Sequence, residues 1–189
     1  MYEVPTLNQI YDMLLNVAQK IADDGCKPEV VVGISRGGIV PARILLDLLQ
    51  TPEFATIQIE YYVGINQRRQ DPLLKQYLQT EVKGKKVLLV DDVSDCGKSL
   101  QFAINHLQKM GAKEIKTATL YSKPETITTP NYYEKQTSHW IVFPWDAKET
   151  VKKILQNCES KHAVNQEIAK LVKAGMPKQI IEKFTKNEQ

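Results

Sequence analysis

No run of this 189-residue chain approaches the ~20 apolar residues that a helix needs to cross a bilayer, and its first residues lack the charged-then-apolar order of a secretory leader. A cytoplasmic protein with no membrane partner is expected. Cysteine is scarce: Cys26, Cys96 and Cys158 are odd in number, far apart and without metal-ligand spacing, which points to reduced thiols and to no structural zinc site. There is no internal repeat, no low-complexity tract and little charge imbalance. The net charge of +3 comes from the tail, where residues 150–189 hold eight Lys against four Glu and leave 17 basic and 18 acidic residues before them. A solvated lysine-bearing helix face accounts for such a tail, so nucleic acid is not expected as a partner.

What is present suits one ordinary domain with a modest extra segment, since 42% of the residues are hydrophobic and 25% charged. Residues 6–22 carry an apolar stripe at helical spacing behind a Thr6/Gln9 capping box. Strand and helix then alternate: strand 29–35, helix 37–50 with Pro41 in its first turn, strand 54–62, strand 87–90, helix 97–110 closed by Gly111, and strands at 114–121 and 140–143. That order predicts an open parallel α/β sheet with right-handed crossovers. Val63 to Lys85 is polar and too long for a routine connection, which suits either a flexible lid or a hairpin with a surface turn. From Ala147 onward three short amphipathic helices are predicted, the last two separated by Gly175-Met176-Pro177.

The richest segment is Val87 to Leu100, in which four apolar residues run into Asp91, Asp92 and Asp95 and then into a turn that opens a helix. Carboxylates thus stand at the carboxyl end of a parallel strand, where open sheets bind ligands, and the turn offers backbone N–H groups to a phosphate. Asp91 and Asp92 repel a bare phosphate but accept hydrogen bonds from vicinal hydroxyls, and they can reach Mg²⁺ through water. A phosphorylated sugar satisfies both halves. Earlier, the strand ending at Ile34 runs into Ser35-Arg36-Gly37-Gly38, where glycines allow close backbone approach and Arg36 adds a cationic fork.

These segments closely resemble those of the type I phosphoribosyltransferases, and the resemblance spans about Thr6 to Asp146. It implies that Asp91 and Asp92 meet the ribose of phosphoribosyl pyrophosphate (PRPP), with Ser94, Asp95, Cys96, Gly97, Lys98 and Ser99 around its 5′-phosphate. It further implies that Ser35, Arg36, Gly37 and Gly38 hold the pyrophosphate, joined by Arg68 from the lid, and that a cis peptide lies near Ser35-Arg36. Leu120-Tyr-Ser-Lys123-Pro124 and His139-Trp140 to Asp146 are similar to the purine pocket of the xanthine/guanine subgroup. On that likeness Lys123 faces the 6-oxo group, Trp140 stacks on the purine, and main-chain groups near Ile141 and Asp146 read the 2-position. Asp95 and Arg36 become the catalytic pair, the first beside the base and the second at the leaving group. Cys96 and Ser99 depart from the family's more usual threonines; the thiol is a weak donor, a change worth on the order of 1 kcal/mol in PRPP binding at most.

The sequence therefore predicts a type I phosphoribosyltransferase-like domain over residues 1–146 and a helical carboxy-terminal extension over 147–189. The expected activity is Mg²⁺-dependent transfer of the phosphoribosyl group to N9 of a 6-oxopurine, within purine salvage, by a homodimer or homotetramer. The alternative is a non-catalytic sensor of PRPP or purine on the same fold.

Overall fold

A computed structural model describes residues 1–64 and 67–186. In chain order its elements are β1 (Tyr2–Glu3), α1 (Leu7–Asp23), β2 (Val30–Ser35), α2 (Ile39–Leu48), β3 (Glu53–Gly64), β4 (Gln67–Gln76), β5 (Lys86–Val90), β6 (Val93–Ser94), α3 (Lys98–Lys109), β7 (Glu114–Ser122), β8 (Tyr132–Gln136), β9 (Trp140–Ile141), α4 (Ala147–Asn157), α5 (Lys161–Lys173) and α6 (Lys178–Lys186). By packing, the chain divides into a larger unit, residues 11–137, and a smaller one formed by residues 1–10 and 138–189. This division by packing is a separate matter from the division by resemblance at Asp146.

The larger unit is built on a sheet of order β4-β3-β2-β5-β7-β6, with β8 also paired to β7. Every pair in it is parallel except β3 with β4. Val30, Val31 and Val32 of β2 and Leu88, Leu89 and Val90 of β5 are fully buried, as central strands covered on both faces must be. One core cluster joins β2, β3 and β5 side chains to Leu100, Ala103 and Leu107 of α3. The capping box of α1 forms as read: the Thr6 N–H donates to Gln9 Oε1 at 2.8 Å and the Gln9 N–H to Thr6 Oγ1 at 3.2 Å. Gly111, at φ 83°, follows the end of α3.

Of the two readings of Val63 to Lys85, the described residues take the hairpin. β3 runs on to Gly64, and β4 returns antiparallel with Val63 opposite Arg68 and Tyr61 opposite Pro72. Ladder hydrogen bonds come from the backbone, so a polar sequence can form an edge strand, and an edge is where a strand tolerates proline. Further on, Leu78 and Val82 are buried in the same cluster as β2 and β5. They anchor the end of the segment where a free lid had been the other possibility.

The smaller unit holds a separate two-stranded sheet, β1 parallel to β9, with Tyr2 opposite Trp140 and Glu3 opposite Ile141. The expected 140–143 strand is thus shorter and pairs outside the main sheet. Its three helices match the apolar spacing of the tail and bury Val151, Ile154, Leu171, Met176 and Ile181 with Val142 and Ala147. Ser160 caps α5, its side chain accepting from the Ala163 N–H at 3.2 Å.

Candidate active site

The carboxyl ends of β2 and β5 lie side by side because these strands pair in parallel, Gly33 opposite Val90. Two loops consequently leave the sheet together, Ser35 to Gly38 before α2 and Asp91 to Gly97 before α3. The Ser35-Arg36 peptide is cis, as the resemblance implied. Gly37 stands against the second loop: a Cβ there would lie 2.3 Å from Asp92 Oδ2. Any side chain there would have to displace that carboxylate. Arg36 is exposed beside it.

Asp91 and Asp92 are fixed by the sheet itself. The Asp91 N–H donates to Ala118 O at 3.1 Å, and Asp92 O accepts from Leu120 and Tyr121 at 3.1 and 3.2 Å. Burial pushes the Asp91 carboxyl well above the usual carboxylate range, and the neighbouring Asp92 charge pushes it further; the N–H groups of Asp92 and Gly38 pull the other way. The Asp92 N–H reaches Asp91 Oδ1 at 3.0 Å.

Gly97 precedes α3 at φ 79°, a left-handed conformation that glycine adopts without steric cost, and no side chain caps the helix. The first N–H groups of α3 therefore have no partner within the helix and face a position suited to an anion. Asp95 and Cys96 are exposed, Lys98 and Ser99 half-buried, and Ser94 is buried with its hydroxyl turned away toward the segment after Lys123. That segment supplies Thr126 and Thr128, which the sequence reading missed; their one signal was a polar, threonine-rich stretch directly after a Lys-Pro pair.

Lys123 is only 6% exposed, and its N–H donates to Ser94 O at 2.9 Å, which ties the end of β7 to the phosphate turn. Of the other purine-pocket candidates, Trp140 on β9 is 59% exposed and its N–H donates to Met1 O at 3.0 Å. Ile141 is half-buried, and Asp146 stands at the N-cap of α4 with its N–H on Phe143 O at 2.9 Å. These three belong to the smaller unit and Lys123 to the larger. Arg68 lies on β4, and its side chain is outside the described residues. Among the described residues no three His, Cys, Asp or Glu side chains gather as a metal cage, and no helix is long and apolar enough to cross a membrane.

Two glycine-bearing loops that converge on an aspartate pair at the carboxyl edge of a parallel sheet define a protein of the phosphorylated-sugar-binding α/β class. Comparison with known proteins makes this specific. The sequence model described as the phosphoribosyl transferase domain matches residues 6–152, and the chain belongs to that family, as a type I phosphoribosyltransferase resembling the xanthine/guanine subgroup. The chain is 36% identical over 120 residues to a xanthine-guanine phosphoribosyltransferase of Cereibacter sphaeroides, a match covering 61% of this chain and 68% of that protein. It is 25% identical over 185 residues to xanthine phosphoribosyltransferase 1 of Saccharomyces cerevisiae, covering 75% of this chain and 88% of the relative. The crystal structure of a purine phosphoribosyltransferase from Pyrococcus horikoshii superposes with a TM-score of 0.69 at 38% identity, over 76% of this chain and 93% of that one.

Proposed function

We propose that the protein transfers the 5-phosphoribosyl group of PRPP to N9 of a 6-oxopurine (guanine, xanthine or hypoxanthine) and releases pyrophosphate. The observation that carries this reading is the closeness of Gly37 to the Asp92 carboxylate, because it joins an anion-clamping loop and a hydroxyl-accepting pair in one cradle. A sugar with a phosphate at one end and a pyrophosphate at the other has this distribution of groups.

In this mechanism the turn from Ser94 to Ser99 and the free N–H groups of α3 hold the 5′-phosphate, and Asp91 and Asp92 accept hydrogen bonds from the ribose hydroxyls. As the bond from the anomeric carbon to the pyrophosphate oxygen lengthens, negative charge gathers on the leaving group, where Arg36 and the N–H groups of residues 35–38 stabilise it. Arg68 is the further cation assigned to that end. The ribose becomes cationic, and the carboxylates of Asp91 and Asp92 favour that charge. N9 of the purine attacks, and Asp95 takes its proton or accepts a hydrogen bond from N7.

Lys123 donates to the 6-oxo group of the base. A donor at Lys123 disfavours adenine, whose 6-amino group is a donor as well. Asp91 and Asp92 fit Mg²⁺ held through water and shared with substrate phosphates, since Mg²⁺ takes one or two carboxylates and keeps several waters; it would neutralise charge on the departing pyrophosphate. A cytoplasmic homodimer or homotetramer belongs to the same proposal.

The test is nucleotide formation from PRPP and Mg²⁺ with guanine, xanthine, hypoxanthine and adenine offered separately, an Asp95→Asn variant alongside. Turnover of an oxopurine, sharply reduced in the variant, is expected. PRPP binding without turnover of any base would overturn the reading in favour of a sensor.

A further inference from the structure

We infer that Ser94 and Thr126 form a hydroxyl brace that positions the 5′-phosphate turn from behind and locks it to the loop carrying Lys123. The inference rests on the assignment of the turn that Ser94 opens to a phosphate, held by residues 95–99, and it makes the Ser94 and Thr126 side chains positioning groups that touch no substrate.

Ser94 is 2% exposed, and its hydroxyl lies 2.8 Å from Thr128 O and 2.8 Å from Thr126 Oγ1. The Thr128 N–H in turn points to Thr126 Oγ1 at 3.3 Å. Each hydroxyl has a single proton. Two arrangements close the set, Ser94 donating to Thr128 O with Thr126 donating to Ser94 Oγ, or Ser94 donating to Thr126 Oγ1 with Thr126 donating to Thr128 O at 3.3 Å, and in both every proton has an acceptor. The Ser94 side chain then has no proton left to offer a phosphate.

Thr126 also fills the space that glycine leaves open at the turn. A Cβ on Gly97 would lie 2.4 Å from Thr126 Oγ1 and 2.6 Å from Thr128 N. Two backbone bonds complete the seam, Lys123 N–H to Ser94 O at 2.9 Å and Ile127 N–H to Cys96 O at 3.2 Å. Residues 123–128 are thus laid along residues 94–97, and the polar atoms between them are spent on each other.

A phosphate turn binds well only if its N–H groups are already in place, because ordering them on binding is subtracted from affinity. The brace supplies that order before the ligand arrives. Since Lys123 lies on the same strip, a loosened turn also loosens the base-facing lysine, so phosphate and base affinities are coupled through one seam.

Thr126→Val keeps the shape and removes the hydroxyl, Ser94→Ala removes its partner, and Thr126→Ser restores the hydroxyl alone. Thr126→Val and Ser94→Ala each break at least two hydrogen bonds of the set, and KM for PRPP is expected to rise about fivefold in both, with kcat nearly unchanged and Thr126→Ser close to wild type. A readout independent of turnover is the protection by inorganic phosphate of exposed Cys96 against iodoacetamide, followed by peptide mass. Wild-type Cys96 should be protected, and Thr126→Val should need about fivefold more phosphate for the same protection. Protection and KM unchanged in both variants would overturn the brace, as would rescue failing in Thr126→Ser. Wild-type protein that phosphate protects but that converts no base would defeat the proposed reaction and leave the brace to be judged on protection; absence of protection in wild type would defeat the phosphate turn and the brace together.

Discussion

Gly37 faces the Asp92 carboxylate so closely that a methyl group on it would sit 2.3 Å from Oδ2 and 2.5 Å from Cγ. The next residue is crowded differently, because a Cβ on Gly38 would meet Val90 O at 2.3 Å and Ile34 N at 2.8 Å, all backbone. A carboxylate can rotate away from a methyl group, whereas a strand cannot. Gly37→Ala should therefore keep the fold while displacing Asp92, with KM for PRPP raised about tenfold or more, the equivalent of ~1.4 kcal/mol in ribose binding. Gly38→Ala should instead lower Tm or prevent folding. Thermal melts and PRPP kinetics on the two variants check the contrast, and equal Tm losses would sink it.

Asp91 should set a pH dependence of stability with a definite sign. Its folded carboxyl holds a proton more tightly than the usual 3.8, through burial and the Asp92 charge. The folded chain binds the extra proton between those two values, so the contribution of Asp91 to stability is complete below 3.8 and is lost as pH rises through the raised folded value. Asp91→Asn, neutral at every pH, should melt higher than wild type at neutral pH and converge with it in acid, while losing phosphoribosyl transfer. Melts of both proteins across the acid range decide this. A variant less stable at neutral pH would show that Asp91 is held ionised by its neighbours.

The site's chemistry was readable in the sequence where it depends on local order. Asp91, Asp92 and Gly97 are contiguous with a strand and a helix, and the chain order alone places them at a sheet edge. The parallel strands were equally plain, since Val30–Val32 and Leu88–Val90 are apolar on both faces. What was left open or went unread depends on pairing. β4 is polar and exists by backbone bonds to β3, and β8 opens with Tyr132 and Tyr133 but continues with charged residues. Thr126 and Thr128 gain meaning only from Ser94 and Gly97, some thirty residues earlier, across a seam that no local spacing reveals.

Lys123 offers a test of base selection. A buried ammonium that donates to a 6-oxo group is worth roughly 1.5–3 kcal/mol, as hydrogen bonds to charged groups are. Lys123→Met keeps length and apolar stem while removing the donor. It should lower kcat/KM for oxopurines by about ten- to a hundredfold with a smaller effect on KM for PRPP. The ratio of oxopurine to adenine turnover should fall with it. A uniform loss across all bases would assign Lys123 to the architecture of the β7 terminus instead of to the purine.

The helical tail should behave as a folded unit with its own core. Leu171 is fully buried between α4, α5 and α6 side chains, so Leu171→Ala leaves a cavity and is expected to cost about 2–5 kcal/mol. Tyr2 tests a second tie in the same unit: its hydroxyl donates to Glu167 Oε2 at 2.7 Å, and burial together with that carboxylate pushes the phenol up to about 12. Tyr2→Phe removes one hydrogen bond and should cost only ~1 kcal/mol, so the Leu171 variant should unfold at clearly lower denaturant than the Tyr2 variant. An alkaline ultraviolet titration of wild type against Tyr2→Phe should assign one late-ionising phenol to Tyr2. If Leu171→Ala melted like wild type, the apolar spacing of α4 to α6 would reflect a face that packs loosely, and the tail would need another explanation for its apolar stripe.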